Sequence, residues 1–475
     1  MVTLPRVLVA APASGSGKTM IATGLMAALR DHGADRSTDG GGGLRVSPHK
    51  VGPDYIDPGY HSAAAGRPGR NLDAHLVGED LLVPLLLHGA ATPEPADIAV
   101  IEGVMGLFDG ALGTDGFASS AHVARLTSTP VLLVVNCAAA SRSVAAVVHG
   151  FATFEPGVRV AGVILNNVAS PRHEAEARSA VLATGVPVLG AIPRLPDVVV
   201  PSRHLGLIPA AERRPEALSA VQALGSMARE HVDLEGVLEL AATAPDLDAE
   251  PWDPHAAVGS RPPAEPPVVA VAAGEAFTFG YAETPELLAA AGARVERFDP
   301  LRDENLPAGT AGIVLGGGFP QIHAGALCAN RGLRAQIADF ADQGGPIAAE
   351  CAGMLYLLRE LDGAPMCGVL PATGAMHPRL VLGYRQAVAL GDSVLAPQGA
   401  RVAGHEFHRT RVQLDDPAAP GGHAGRAWGW RDSHGAPETE GFLHARVHAS
   451  YLHTHWAGRP QVAASFVQAA AGGAP

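Results

Sequence analysis

Three stretches of the chain carry residue types at spacings that can do chemistry. The first is APASGSGKT (11–19), which follows an apolar run and opens a helix-length segment. Gly15 and Gly17 let the backbone curl around Ser16 so that successive N–H groups face one anion, Lys18 reaches terminal phosphates, and the Thr19 hydroxyl can ligate Mg²⁺. The following helix N-terminus adds a favourable dipole. Pro12 stands where the usual phosphate-loop pattern has its first glycine. The bland alternative is a glycine-rich turn that binds nothing, but strand, loop, Lys-Thr and helix stand in the order a nucleotide site requires.

A phosphate loop needs carboxylates to hold its metal. DIAVIEGVMGLFDG (97–110) puts Glu102 at the end of an apolar run, and HKVGPDYIDPGYH (49–61) offers Lys50, Asp54 and Asp57 on a turn-rich segment. Each carboxylate alone reads as a solvated group or a helix cap. Beside the phosphate loop, Glu102 and Asp54 become candidates for Mg²⁺, which takes one or two carboxylates plus phosphate oxygens. LNNV (165–168) leaves Asn166 or Asn167 after a later strand, where one of them could read a base edge.

The third stretch is GGPIAAECAGMLYLLRE (344–360), with Cys351 between a small-residue strand and an apolar helix. A lone cysteine is more often an inert core residue. This layout, with small residues crowding a strand-to-helix turn, is that of a nucleophile elbow, and a helix N-terminus favours the thiolate. VLGGGFPQIHAG (314–325) ends a strand on Gly316–Gly318, a turn able to offer N–H groups to an oxyanion. HASYLHTHWAG (448–458) supplies His453 and His455, either of which could be the base. GHEFHRT (404–410) echoes a zinc-protease motif, but its histidines are three apart rather than four. His405, Glu406 and His408 are therefore expected in substrate contact or an interface.

The elements that position these residues follow from apolar patterning. RVLVAAP (6–12), DIAVIEGV (97–104), PVLLVVN (130–136) and VAGVILNNV (160–168) are nearly continuous apolar runs, as in strands buried on both faces of a parallel sheet. Residues 33–45 read as a glycine-rich insertion, and 241–267, rich in proline and without periodicity, as an interdomain linker. A second βα series begins with VVAVAAGEAF (268–277). The expected fold is α/β: two doubly wound domains, a P-loop parallel-sheet domain over 1–240 and a second over 268–475.

Composition excludes several classes. Four widely spaced cysteines without a CxxC pair argue against a disulfide framework and fit a reducing cytosol, hence a cytoplasmic protein. A formal charge of −13 without clustered Lys and Arg argues against a nucleic-acid partner. No signal peptide and no run of about 18 apolar residues is present, so no membrane partner is expected.

APASGSGKT, HKVGPDYIDPGYH, EGVMGLFDG, PSRHLGLIP, LGGGFPQIHA, AECAGMLYL, LGYR, GHEFHRT and ASYLHTH, in this order, resemble the cobyrinic acid a,c-diamide synthases. That family is similar to dethiobiotin synthetase in its N-terminal domain and to class I (flavodoxin-like) glutamine amidotransferases in its C-terminal one. The resemblance implies ATP- and glutamine-dependent amidation of the a and c carboxylates of a corrin macrocycle, metal-free or cobalt-containing, on the route to vitamin B12. It implies ATP and Mg²⁺ around Gly15–Thr19, Asp54 and Glu102, and the macrocycle near Lys50, Tyr55 and Asp109. It makes Cys351 the glutaminase nucleophile and His453 its base, with oxyanion donors near Gly318 and Ala352. Two departures stand out. Ala352 replaces a customary glycine, and His455 stands where class I amidotransferases commonly carry a glutamate. A related tetrapyrrole such as nickel-sirohydrochlorin, cobyric acid synthesis, and a P-loop regulatory ATPase with a degenerate amidotransferase domain are the competing readings. The oligomeric state stays open, a homodimer included.

Overall fold

The apolar runs become strands buried on both faces. In the computed structural model, which describes residues 1–32, 43–194, 202–203, 206–414, 425–432 and 434–472, the chain divides into two compact units. One comprises 1–74 with 78–252, the other 75–77 with 253–475. Most of the segment read as an insertion, and residues 201, 204 and 205 of the PSRHLGLIP motif, lie outside the described residues.

The first unit is built on seven parallel strands. These are β1 (Arg6–Ala10), β2 (Val46–Val51), β3 (Arg70–Leu72), β4 (Ile98–Glu102), β5 (Val131–Asn136), β6 (Val160–Val168) and β7 (Val188–Pro193), in the order β3-β2-β4-β1-β5-β6-β7. Strand β1 separates the half that runs out to β3 from the half that runs out to β7. Ligand crevices of open α/β sheets form at the carboxyl ends of strands where the order reverses in this way. Helix α1 (Lys18–Arg30) follows β1, and α2 (Asp57–Ala65) follows β2. Register brings the chemistry together, because Lys50 on β2 and Val9 on β1 both pair with Glu102 on β4. A short antiparallel pair, β8 (Ser202–Arg203) and β9 (Gly206–Leu207), comes later in the chain.

The second unit begins with β10 (Val268–Ala272), β11 (Arg294–Phe298), β12 (Thr310–Leu315) and β13 (Ile347–Glu350). The chain then makes an antiparallel-rich sheet from β14 (Leu358–Leu361), β15 (Ala364–Pro365), β16 (Leu370–Ala389), β17 (Arg401–Leu414), β18 (Trp428–Arg431) and β19 (Pro437–Glu440). It returns as β20 (Phe442–His444) and β21 (Val447–Ser450) to complete a six-stranded sheet ordered β11-β10-β12-β13-β21-β20, in which only β20 runs antiparallel to its neighbour. Ile313, Leu315, Ile347 and Ala349 of β12 and β13 pack with Met354, Leu355 and Leu357 in its buried core. The GHEFHRT segment is strand, in the middle of β17, paired with β16 from Tyr384↔His405 to Val381↔His408. Residues 241–267 hold the end of one helix and a short one, Pro254–Val258.

Candidate active site

The phosphate loop links β1 to α1 in the backbone form its glycines permit. Gly17 caps α1 in the left-handed region at φ 95°, and a Cβ there would lie 2.4 Å from Asn166 Nδ2. Only glycine satisfies both demands. Asn166, at the end of β6, donates from Nδ2 to Ser16 O at 2.9 Å, and its Oδ1 accepts from Asn167 N at 2.9 Å. Asn166 thus ties the loop to the sheet. Gly15 is also left-handed, at φ 77°. Ser16 Oγ donates to Ala13 O at 2.8 Å, and Lys18 Nζ reaches the same carbonyl at 3.3 Å. Burial first, then the Lys50 charge, lower the Lys18 pKa from its ordinary value.

Thr19, in the first turn of α1, faces the carboxylates. Its Oγ1 donates to Glu102 Oε1 at 2.6 Å and lies 3.3 Å from Asp57 Oδ2. Lys50 Nζ bridges the same two groups, 2.7 Å from Asp57 Oδ2 and 2.9 Å from Glu102 Oε1. Burial works against the Lys50 charge, but Asp57, Glu102 and Asp54 outweigh it and raise its pKa. Burial alone would lift the fully buried Glu102 carboxyl, yet Lys50, the His61 hydrogen bond and the Thr19 hydroxyl bring it down to about 2. Asp57 is pushed the other way, by burial and then by the Asp54 charge. The donors of the cluster are hard oxygens arranged beside a phosphate loop. That donor set suits Mg²⁺ with phosphate oxygens completing the shell.

Asp54 stands further out. It lies 3.9 Å from Lys50 Nζ, and its Oδ1 accepts from Ile56 N and Asp57 N at 2.8 and 3.0 Å, which shapes the entry to α2. Asp57 is the aspartate that joins Thr19 and Glu102. His61, not singled out from sequence, contacts Glu102 Oε2 from Nε2 at 2.7 Å, both side chains without exposure. The signal was there: Asp57 and His61 are four apart on α2 and share a face. Tyr55 is buried, while Asp109 is exposed, accepts from Gly106 N at 3.0 Å and acts electrostatically on Lys18.

In the second unit the nucleophile candidate occupies a strained turn. Cys351 follows β13 and caps the helix Ala352–Leu357 at φ 49°, ψ −100°, a conformation L residues rarely adopt outside functional turns. The backbone N–H groups of Gly318 and Ala352, the amides that the resemblance implies as oxyanion donors, favour its thiolate, yet burial outweighs them and pushes the thiol up to about 12, and Sγ lies 3.9 Å from Phe407 O. The Ala352 methyl is accommodated in full burial. At the next position only glycine fits, since a Cβ on Gly353 would lie 2.3 Å from Leu315 O.

The two histidines separate cleanly. Strands β13 and β21 are parallel neighbours, Cys351 N donates to Ser450 O at 2.7 Å, and His453 lies three residues beyond β21. A Cβ on Gly317 would meet His453 Cε1 at 2.4 Å, so the imidazole lies against the loop whose next amide faces Cys351. Burial, with the His405 and His408 charges behind it, lowers the His453 pKa to about 3. His455 instead stacks on Tyr281 at 4.0 Å and lies 3.6 Å from Glu283. His405 and His453 exchange backbone hydrogen bonds at 2.9 Å, and Glu406 holds Arg385 at 2.7 Å. Glu406 and His408 line a cavity of about 820 Å³ with Tyr451, Met354 and Glu440.

Comparison with known proteins matches residues 7–208 to the CobQ/CobB/MinD/ParA nucleotide binding domain and residues 268–461 to the CobB/CobQ-like glutamine amidotransferase domain. The hydrogenobyrinate a,c-diamide synthase of Streptomyces coelicolor is 54% identical over 98% of this chain and 97% of its own. That of Mycobacterium tuberculosis is 52% identical over 99% and 98%. The cobyrinate a,c-diamide synthase of Gloeobacter violaceus is 41% identical over 97% and 96%. With a nucleotide-binding and a glutamine amidotransferase domain on one chain, and this identity over its whole length, the protein belongs to the a,c-diamide synthase family.

Proposed function

We propose that the protein uses ATP and glutamine to convert the a and c side-chain carboxylates of hydrogenobyrinic acid into amides, a step in cobalamin biosynthesis. The observation that supports this most strongly is the placement of Cys351, strained and facing two backbone amides, on the same chain as a phosphate loop whose Thr19 meets Glu102. The choice of the metal-free ring is favoured by the higher identity to relatives named for hydrogenobyrinate, 54% against 41% for the cobyrinate enzyme.

A carboxylate does not react with ammonia at neutral pH, because oxide is a poor leaving group. Transfer of the γ-phosphoryl group of ATP to the carboxylate gives an acyl phosphate, which ammonia displaces as an amide with release of phosphate. The loop from Gly15 to Thr19 holds the phosphates, and Lys18 neutralises charge developing on the phosphoryl oxygens. Thr19, Glu102 and Asp57 are the residues that would hold Mg²⁺, which supplies further charge neutralisation on the phosphates. Lys50, buried between Asp57 and Glu102, belongs with the residues that would hold the metal, and of the three expected near the macrocycle Asp109 is the exposed one.

In the glutaminase half, the sulfur of Cys351 attacks the side-chain amide carbon of glutamine while His453 takes the thiol proton. The N–H groups of Gly318 and Ala352 hold the oxyanion, ammonia leaves with the proton from His453, and water hydrolyses the thioester to glutamate. The test is the nitrogen source. Cys351→Ala is expected to lose glutamine-driven amidation and keep ammonium-driven amidation. Loss of both would remove the assignment of Cys351 to glutamine hydrolysis alone.

A further inference from the structure

His453 lacks a carboxylate two residues on, since that position is His455, and His455 is engaged with Tyr281 and Glu283. A carboxylate does approach the base, from another element. Glu350, the last residue of β13 and the chain neighbour of Cys351, places Oε2 3.8 Å from His453 Nδ1. Its other oxygen, Oε1, accepts from Thr454 N at 3.2 Å and from Thr454 Oγ1 at 2.8 Å. One carboxylate is therefore clamped to the residue after the base while it faces the base's ring. The arrangement follows from topology: Glu350 pairs in register with Ser450 on the parallel neighbour β21, so the end of β13 lies beside the segment leaving β21.

We propose that Glu350 is the orienting acid of the glutaminase, a positioning residue that holds His453 through Nδ1 so that Nε2 serves Cys351. This rests on the reading of Cys351 and His453 as the glutaminase pair. As the carbon–sulfur bond forms, the thiol proton passes to His453 Nε2 and the ring becomes an imidazolium. Glu350 offsets that charge from the Nδ1 side until the proton leaves with ammonia as the carbon–nitrogen bond breaks. A separation of 3.8 Å is longer than a hydrogen bond. Such contacts commonly tighten only when substrate is bound. Burial lifts Glu350 to about 7, so the carboxylate form is available at neutrality and is drawn out by the imidazolium it faces. Burial and, behind it, the charges of His405 and His408 on β17 oppose a positive charge on His453, and the carboxylate that stands at its Nδ1 is that of Glu350.

A plain tether for the segment after β21 would use the same Thr454 contacts, so the test must separate the two roles. Glu350→Gln and Glu350→Asp proteins would be compared with the parent for glutaminase kcat and KM across pH, for ammonium-driven amidation, and for thermal midpoint. The expected result for Glu350→Gln is a kcat reduced at least about 10-fold, short of the ~10²–10⁴ for loss of a general base. KM should change by less than about twofold, which marks an interaction made in the transition state. The acid limb of the kcat profile should shift, ammonium-driven amidation should persist, and Glu350→Asp should recover part of the rate. An unchanged kcat and pH profile, a loss confined to KM, or an equal loss with ammonium would each overturn the assignment. A parent protein that hydrolyses no glutamine removes the glutaminase reading itself, and this inference with it.

Discussion

At the scale of single residues, Cys351 and His453 share a setting that keeps both uncharged. Burial pushes the thiol up to about 12 and the imidazole down to about 3, so at neutrality one is a thiol and the other a neutral ring. Alkylation of Cys351 by iodoacetamide in the absence of glutamine should therefore be slow at pH 7 and rise continuously through pH 9, as the thiolate fraction grows. A rate already level below pH 7 would indicate a preformed thiolate–imidazolium pair and contradict this. Lys18 and Glu102 belong to the other chemistry. Lys18→Ala and Glu102→Gln should each reduce amidation from glutamine and ammonium alike, by about 10² or more, the scale for losing preorganised charge at a phosphoryl group. A Glu102→Gln protein with unchanged Mg²⁺-ATP turnover would take Glu102 out of the site. These residues were legible because each stands in a motif whose spacing has a mechanism. Asp57 and His61 were less so, because only the fold shows that α2 brings Asp57 to Thr19 and His61 to Glu102.

At the scale of elements, the nucleophile turn depends on which residues can be glycine and which must be. Gly353→Ala would place a methyl 2.3 Å from Leu315 O and 2.5 Å from Leu315 Cβ. Overpacking of this kind costs about 1–3 kcal/mol, so the urea midpoint should fall and glutaminase activity with it. Ala352→Gly should leave activity near the parent's and lower stability by at most about 1 kcal/mol. If Gly353→Ala were as stable and active as the parent, the close packing of this helix on β12 would be wrong. The strands of both parallel sheets were readable because burial on both faces makes continuous apolar runs. The β16–β17 hairpin was not, since polar residues such as Arg379, Arg385, Glu406 and His408 interrupt its pattern and face the cavity. There the sequence obeys the site rather than the sheet.

At the scale of the whole molecule, buried ionisable groups set the response to acid. His49, His448 and His453 are each held near 3 by burial, against 6.5 in an open chain. The unfolded chain binds more protons between those values, so their contribution to stability is lost as pH falls below about 6.5. Glu350 and Glu440 are lifted by burial to about 7 from 4.5, so their contribution is present at low pH and lost as pH rises through 7. The two sets oppose one another between about pH 4.5 and 6.5. Below that the histidines, Glu102 held down by Lys50 and His61, and Asp97 held down by Arg45 bind more protons in the unfolded chain, so their contribution to stability is lost as pH falls, against Asp57, which burial pushes the other way. The thermal midpoint should thus change little from pH 6.5 to 5 and fall steeply below about pH 4.5. A steep fall already between pH 6.5 and 5.5 would contradict these environments.

The central claim joins the two chemistries in one product, and product mass tests it most directly. Purified protein would be incubated with Mg²⁺-ATP, hydrogenobyrinic acid and glutamine labelled with ¹⁵N at the side-chain amide, with cobyrinic acid in a parallel reaction. The account predicts that hydrogenobyrinic acid gains two labelled amides, at the expense of ATP and glutamine together, and is converted in preference to the cobalt ring. Labelled ammonia and glutamate released while both macrocycles keep their mass would contradict it.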